Sequence, residues 1–263
     1  MFFKDKIIWI TGASSGIGEA TAMAFVEEGA TVIASAPSVE ELTISKAKMS
    51  RPERFHIFPL DLAQPDTIAP LAAEVIERFG RIDILMNNAG ISQRSKVLDT
   101  PIENDRKIME IDYFGAVILT KAVLPQMIAQ GGGHILCTGS MVGLFGFPLR
   151  SAYSAAKHAL HGFFESLRIE YYDYNIKVGI IIGGRIRTAI SMNAITGDGR
   201  AYGRMDEGQQ NGISKEKAAK QILRGIKRNK FEIWVGSTEL LMVLFKRWFP
   251  RLHFSIARKI SPT

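Results

Sequence analysis

Short apolar runs alternate with longer stretches of helical period along most of this chain. "KIIWI" (6–10) reads as a buried strand, and "GEATAMAFVEEGA" (18–30) as a helix with a glycine near its end. "TVIASA" (31–36) and "FHIFPLDL" (55–62) read as the second and third strands, the latter closed by an acid. "TIAPLAAEVIERFG" (67–80) is a helix ending on Gly80, and "IDILMNNAG" (82–90) a strand running into a turn. A helix at "IMEIDYFGAVILTKA" (108–122), a strand at "HILCTGS", a helix at "SAYSAAKHALHGFFESLRIEYY" and a strand at "IKVGIII" continue the series. Such alternation implies an α/β fold, a doubly wound parallel sheet covered on both faces in three α/β/α layers.

With 263 residues and 46% hydrophobic content, the chain suits one large domain with at most a small appendage. Its one cysteine, Cys137, excludes an intrachain disulfide and fits a reducing compartment; within "HILCTG" it reads as a buried small hydrophobe. "MFFKDK" precedes only four apolar residues, too few for a signal peptide. No stretch reaches the ~20 apolar residues of a membrane span. The expected location is the cytoplasm. Net charge is +7, but residues 214–263 hold twelve Lys and Arg against three Asp and Glu, so the rest of the chain is slightly acidic. Basicity confined to a tail argues against a nucleic-acid partner, which needs a broad basic face.

Ligands of doubly wound sheets bind outside the carboxyl ends of the strands. Those ends carry "TGASSGIG", "PLDL", "NNAG", "TGS" and "GGRIRT". In the first, Gly12 permits a tight turn, Gly16 lets the backbone approach a pyrophosphate, and Gly18 lets the helix pack closely on the sheet. The N–H groups opening the helix complete a phosphate site, so a dinucleotide is the expected ligand. After the second strand, an acid would bind the ribose hydroxyls of NAD and an Arg the 2′-phosphate of NADP. Ala36, Pro37 and Ser38 stand there instead. No acid repels a 2′-phosphate and no cation attracts it, so the expected cofactor is NADP or NAD, with NADP slightly favoured.

"YSAAK" places Tyr153 and Lys157 four residues apart on one helical face. A phenol titrates near ~10 and is a poor base at neutral pH. A nearby ammonium favours the phenolate, and the phenol can then exchange a proton with an oxygen while a hydride moves on carbon. Ser140, thirteen residues upstream at a strand end, is placed to hold that oxygen.

"TGASSGIG", "NNAG", Ser140 and "YSAAK", in this order and spacing, resemble the short-chain dehydrogenase/reductase superfamily in its short single-domain branch, over roughly residues 4–230. The resemblance implies a Rossmann-type catalytic domain over 1–236, with a mobile substrate lid at about 189–212 and a basic, aromatic extension over 237–263. It implies that Gly12, Ser14, Ser15, Gly16, Ile17 and Gly18 contact the cofactor diphosphate and ribose. Asp61 and Leu62 would flank the adenine. Asn88, Ala89 and Gly90 would line the cofactor cleft, and Asn87 would tie strands together. Tyr153 would be the acid/base, and Lys157 would hold the nicotinamide ribose and tune Tyr153. Ile186 and Thr188 would meet the carboxamide end. No metal is implied; a small-molecule substrate and a homodimer or homotetramer are.

The chain departs from that pattern where the family carries Asn and this sequence has Asp112. It also has Gly183 for the family's Pro, and Pro37 and Ser38 where an Arg is frequent. Helical spacing sets Ile108, Gly115, Ala116 and Leu119 on the side of Asp112, which reads as buried. A carboxylate there is costly unless something satisfies it. The family's Asn holds a water joining the lysine to solvent. An ionised Asp112 beside Lys157 would instead pair with the ammonium and offset its charge. Gly183 would loosen the loop beneath the nicotinamide, and Pro37 removes a backbone donor.

The expected activity is interconversion of an alcohol and a carbonyl by hydride transfer, with Ser140, Tyr153, Lys157 and Asp112 as the catalytic set. The alternative is a cofactor-binding protein of the same fold with weakened or lost catalysis and a regulatory or interaction role. Residues 214–230 read as a helix capped by Ser214, and "FEIWVG" as a last edge strand. "STELLMVLFKRWFPRLHFSIARKI" mixes apolar and basic residues, which suits peripheral contact with an anionic membrane surface, a dimer contact or a lid over a lipophilic pocket. Similar tails in the family accompany steroid or lipid carbonyls and lean the expectation towards a hydrophobic substrate. Ile91, Val142 and Leu149 are the expected apolar pocket.

Overall fold

Successive side chains of a strand point to opposite faces, and here that alternation divides the core into two layers. The computed structural model describes residues 1–258. The strands are β1 (Ile7–Thr11), β2 (Thr31–Ser35), β3 (Phe55–Ile57), β4 (Ile84–Asn87), a short β5 (Gln93–Arg94), β6 (Gly133–Thr138), β7 (Ile176–Gly183), a short β8 (Ile195–Thr196) and β9 (Glu232–Val235). Seven form one parallel sheet in the order β3-β2-β1-β4-β6-β7-β9, and β5 pairs with β8. The helices are α1 (Gly16–Glu27), α2 (Val39–Ala47), α3 (Pro65–Phe79), α4 (Ile102–Met109), α5 (Gly115–Ala129), α6 (Ser151–Glu170), α7 (Glu207–Gln210), α8 (Lys215–Lys227), α9 (Leu241–Trp248) and α10 (Pro250–Ala257).

Ile8, Ile10, Val32 and Ala34 pack with Phe25 and Val26 of α1 and Ile222 and Ile226 of α8. Trp9, Ile33, Leu85 and Ile180 pack on the other face with Ile68 of α3, Leu119 of α5 and Phe164 of α6. Each buried Val, Ile, Leu or Phe among these stabilises the fold by about 1.5–3 kcal/mol. The Trp9 indole N–H donates to Ser35 Oγ at 2.9 Å, so its one polar atom is satisfied. Gly80 closes α3 in the left-handed region at φ +70°, and Ser214 Oγ caps α8 by accepting the Lys217 N–H at 3.2 Å.

Two expectations need correction. The third strand ends at Ile57 rather than at residue 62, because Pro59 has no N–H for a regular ladder. The chain still runs beside β2, with Phe58 N–H on Ala34 O and Leu60 N–H on Ala36 O. The helix expected over 108–122 is interrupted: Glu110–Phe114 form a π turn between α4 and α5. Its buried side is as expected, with Ile108, Ala116 and Leu119 all shielded.

β2 and β4 flank β1 and lead the chain away in opposite directions, so the crevice for a ligand opens at the carboxyl ends of β1 and β4. The ends of β6 and β7 lie on the same edge.

Candidate active site

The glycine loop is built as a phosphate cradle. Gly12 and Gly16 hold φ of +66° and +57°, in the left-handed region that suits glycine. A Cβ on Gly18 would overlap the Gly12 carbonyl, so this glycine sets how closely α1 approaches the end of β1. Ser15, the residue before α1, makes no side-chain cap, which leaves N–H groups of the first turn open. Gly12, Ser15, Gly16 and Ile17 line a cleft of about 560 Å³. Open helix N–H groups facing a space that side chains do not fill fit a dinucleotide diphosphate.

Hydrogen bonds tie the neighbouring strand ends into a floor. Thr11 Oγ1 accepts the N–H groups of Asn88 at 3.0 Å and Ala89 at 3.1 Å. Asn88 Nδ2 donates to Thr11 O at 3.0 Å, and Thr138 Oγ1 donates to Asn88 Oδ1 at 3.1 Å. Asn88 therefore joins β1, β4 and β6. The expectation that Asn87 does this is corrected: its side chain points to α5 and donates to Thr120 Oγ1 at 3.0 Å.

Tyr153 and Lys157 project from one face of α6, and Ser140 follows β6. All three line the same cleft. Lys157 Nζ stands 5.5 Å from the centre of the Tyr153 ring. Ser140 Oγ makes only long contacts, donating to Gly183 O at 3.5 Å and accepting from Val142 N–H at 3.4 Å. Its hydroxyl can turn to another oxygen at little cost.

The π turn carries Asp112 inward, a placement frequent at functional sites. Its Oδ1 accepts the Ile91 N–H at 2.7 Å, and Oδ2 lies 3.1 Å from Lys157 Nζ at ion-pair distance. Lys157 also donates to Thr138 O at 3.0 Å. A Cβ on Gly90 would stand 2.8 Å from Asp112 Oδ2, so glycine there makes room for the carboxylate. Burial drives the Asp112 carboxyl above the ordinary carboxylate range, against the opposing pull of Lys157 and the Ile91 N–H. Burial also pulls Lys157 down, but the charges of Asp112 and Tyr153 prevail and hold the ammonium above the ordinary lysine value. Cys137, fully buried, has its thiol pushed up to about 12 by burial, which makes it inert.

The lining of the cleft holds apolar side chains together with Arg94, Arg150 and Asp206. Met141, Val142, Phe145, Phe147 and Met242 are among the apolar ones, with Ile91. Leu149 is not in the lining; it sits at φ +62° with its carbonyl accepting the Ser95 N–H. The expected lid is anchored. Asp206, within it, accepts Arg94 Nε at 3.2 Å and Arg150 Nη2 at 2.7 Å, and a second Arg94 nitrogen also bonds to it. Arg94 itself comes from β5, which pairs with β8 of the lid. Neither arginine was singled out in the sequence: Asp206 is 112 residues from Arg94, and no local spacing announces such a pair.

α9 supplies Met242 to the cleft wall, and Lys246 donates to Leu144 O at 2.9 Å. His253 of α10 packs its ring against Phe145 at 4.9 Å. These contacts lay the tail against the cleft wall. Residues 259–263 lie outside the described residues. Among the described residues no helix is long and apolar enough to cross a membrane.

Ile186 and Thr188 line the cleft, and Thr188 Cγ2 lies 3.4 Å from where a Cβ of Gly16 would be. Ser14, Gly18, Asp61 and Leu62 stand outside the lining. Ser14 Oγ donates to Glu41 Oε2 at 3.0 Å, Asp61 Oδ1 accepts the Ala63 N–H at 3.0 Å, and Leu62 packs against Gly115.

A family model described as short chain dehydrogenase matches residues 6–198. The dehydrogenase/reductase SDR family member 7B of Rattus norvegicus is 39% identical over 263 residues, spanning 97% of this chain and 81% of the relative. A crystal structure of a short-chain dehydrogenase from Streptomyces avermitilis superposes with a TM-score of 0.84 at 30% identity, over 98% of each chain. A short-chain dehydrogenase structure from Shigella flexneri, complexed with NADP, gives a TM-score of 0.76 at 26% identity over 88% of this chain and 96% of that one.

Proposed function

From the premise that this chain belongs to the short-chain dehydrogenase/reductase family, we propose that it interconverts an alcohol and a carbonyl of a lipophilic small molecule, using NAD or NADP. The carrying observation is that Ser140, Tyr153 and Lys157 face one cleft that also opens on the glycine loop. The glycine loop, Asn88 to Gly90, Ile186 and Thr188 would hold the dinucleotide, whose nicotinamide would supply or accept the hydride. Tyr153 passes a proton to or from the substrate oxygen, and Ser140 donates a hydrogen bond that orients that oxygen. Lys157, held charged by Asp112, favours the phenolate during that transfer and would hold the nicotinamide ribose of a bound dinucleotide. Asp112 and Thr138 O fix the position of its ammonium.

Lipophilicity rests on the apolar side chains of Met141, Val142, Phe145, Phe147 and Met242 in the lining. The surface of α9 and α10 extends this argument. Leu241, Leu244, Trp248, Phe249, Leu252 and Phe254 are exposed there, beside Arg247 and Arg251 and with no acid between residues 240 and 258. That combination suits peripheral contact with an anionic membrane surface. Co-sedimentation with phosphatidylserine vesicles, reversed by high salt, tests it; equal recovery with neutral vesicles removes it. Sedimentation velocity tests the homodimer or homotetramer.

The test of the enzyme reading compares the parent with Tyr153→Phe over a panel of lipophilic ketones and aldehydes, with NADPH and with NADH. Turnover by the parent that the variant loses supports it. Equal traces on every substrate remove it. One observation favours the second reading, a dinucleotide-binding protein with weakened chemistry: the Lys157 charge is shared with a buried carboxylate rather than directed at the phenol alone.

A further inference from the structure

Gly183 ends β7, paired with Val235, and Gly184 opens the loop that carries Arg185, Ile186 and Thr188 to the cleft. Two successive glycines give a backbone little restraint of its own. This backbone is nonetheless held. Gly184 N–H donates to Val235 O at 2.8 Å, and Arg185 N–H donates to Glu239 Oε1 at 2.9 Å. The same oxygen accepts the Ser237 N–H at 3.0 Å. One carboxylate oxygen thus joins the loop after β7 to the turn after β9. The fit is close, because a Cβ on either Gly184 or Gly236 would run into Glu239 Oε1. Glu239 is half-buried, and Met242, one turn further on, reaches the cleft wall.

We propose that Glu239 is a positioning residue for the nicotinamide end of the cleft: from outside the matched family region, it supplies the restraint that the Gly183-Gly184 backbone lacks. The assignment rests on the dinucleotide reading of the cleft. Loss of the carboxylate frees the Arg185 and Ser237 N–H groups and loosens the start of the loop carrying Ile186 and Thr188, whose middle stays paired with Ile213 through Arg185 O and the Arg187 N–H. The adenosine end, built on β1, β2 and α1, is untouched.

The test is isothermal titration of the full chain with two ligands, the preferred reduced dinucleotide and its nicotinamide-free part (ADP-ribose or its 2′-phosphate). Glu239→Ala is expected to weaken the dinucleotide about tenfold, the effect of roughly one lost hydrogen bond in a binding constant, and to leave the nicotinamide-free part unchanged. Glu239→Gln, whose amide oxygen still accepts both N–H groups, should restore dinucleotide binding. Gly184→Ala, which displaces the carboxylate without removing it, should follow Glu239→Ala. Equal dinucleotide affinity of Glu239→Ala and the parent overturns the proposal. So does an equal loss for both ligands, which marks general destabilisation. If the parent binds neither ligand, the dinucleotide reading fails first and carries this assignment with it, a result distinct from the other two.

Discussion

Asp112 and Lys157 form an ion pair at 3.1 Å, with side-chain exposures of 0% and 4%. Asp112 is sealed from water, and Lys157 reaches only the cleft that it lines. Removing one partner of such a pair costs about 3–5 kcal/mol, because the other is left buried and unpaired. Asp112→Ala is therefore expected to lose stability of that order in urea denaturation. Asp112→Asn keeps an acceptor for the Ile91 N–H and should lose less. It should also raise turnover at neutral pH, since the ammonium then acts on the phenol without a counter-charge. Unchanged turnover would show that proton transfer is not limiting.

Gly18 is a position where one methyl group matters. A Cβ there overlaps the Gly12 carbonyl and crowds Asn88 Nδ2 at 2.6 Å, so backbone must move. Gly18→Ala should cost about 1–3 kcal/mol through overpacking and abolish dinucleotide binding, read by thermal unfolding and titration.

Asp206 holds two arginines that would repel each other without it. Asp206→Ala should destabilise the chain by several kcal/mol, of the order of 3–5. The lid should become the first site of cleavage in limited proteolysis, within residues 189–212. Cleavage elsewhere at the parent's rate would show that the lid is anchored by other contacts.

His134 makes stability depend on pH. It is buried, and desolvation, helped by the charges of Lys177 and Arg168, pulls its pKa down to about 4. The unfolded value is near ~6.5. Between these values the unfolded chain holds a proton that the folded chain refuses. The His134 contribution is full above the unfolded value and falls as pH drops towards the folded one, by about 3 kcal/mol in all. Urea midpoints measured across that window should decline, and His134→Leu should flatten the decline.

Much of this architecture can be read from residue order. The strands and their flanking helices follow from apolar period, Gly80 and Ser214 mark helix ends by their own chemistry, and Asp112 stands out as an acid on a buried face. What escapes is long-range. The π turn depends on one extra residue in a helix whose composition is unremarkable, and Asn87 and Asn88 differ only in which way each faces from the end of a strand. The Arg94–Asp206–Arg150 cluster and the Glu239 clamp join segments that meet only after the sheet has formed. α2 is absent from the apolar reading because its stabilising features are a Ser38 cap and only two buried side chains, Leu42 and Ser45.

The placement of Met242 and Glu239 also sets an order in time. Domains emerge from the ribosome N-terminus first, and β1 to β7 precede both residues in the chain. A nascent chain carries the glycine loop and most of the apolar wall, Met141 to Phe147, before Glu239 and Met242 are made. A chain that ended with β9 would keep the glycine loop and Tyr153 yet lack both the residue that completes the apolar wall and the carboxylate that ties the loop after β7 to the turn after β9.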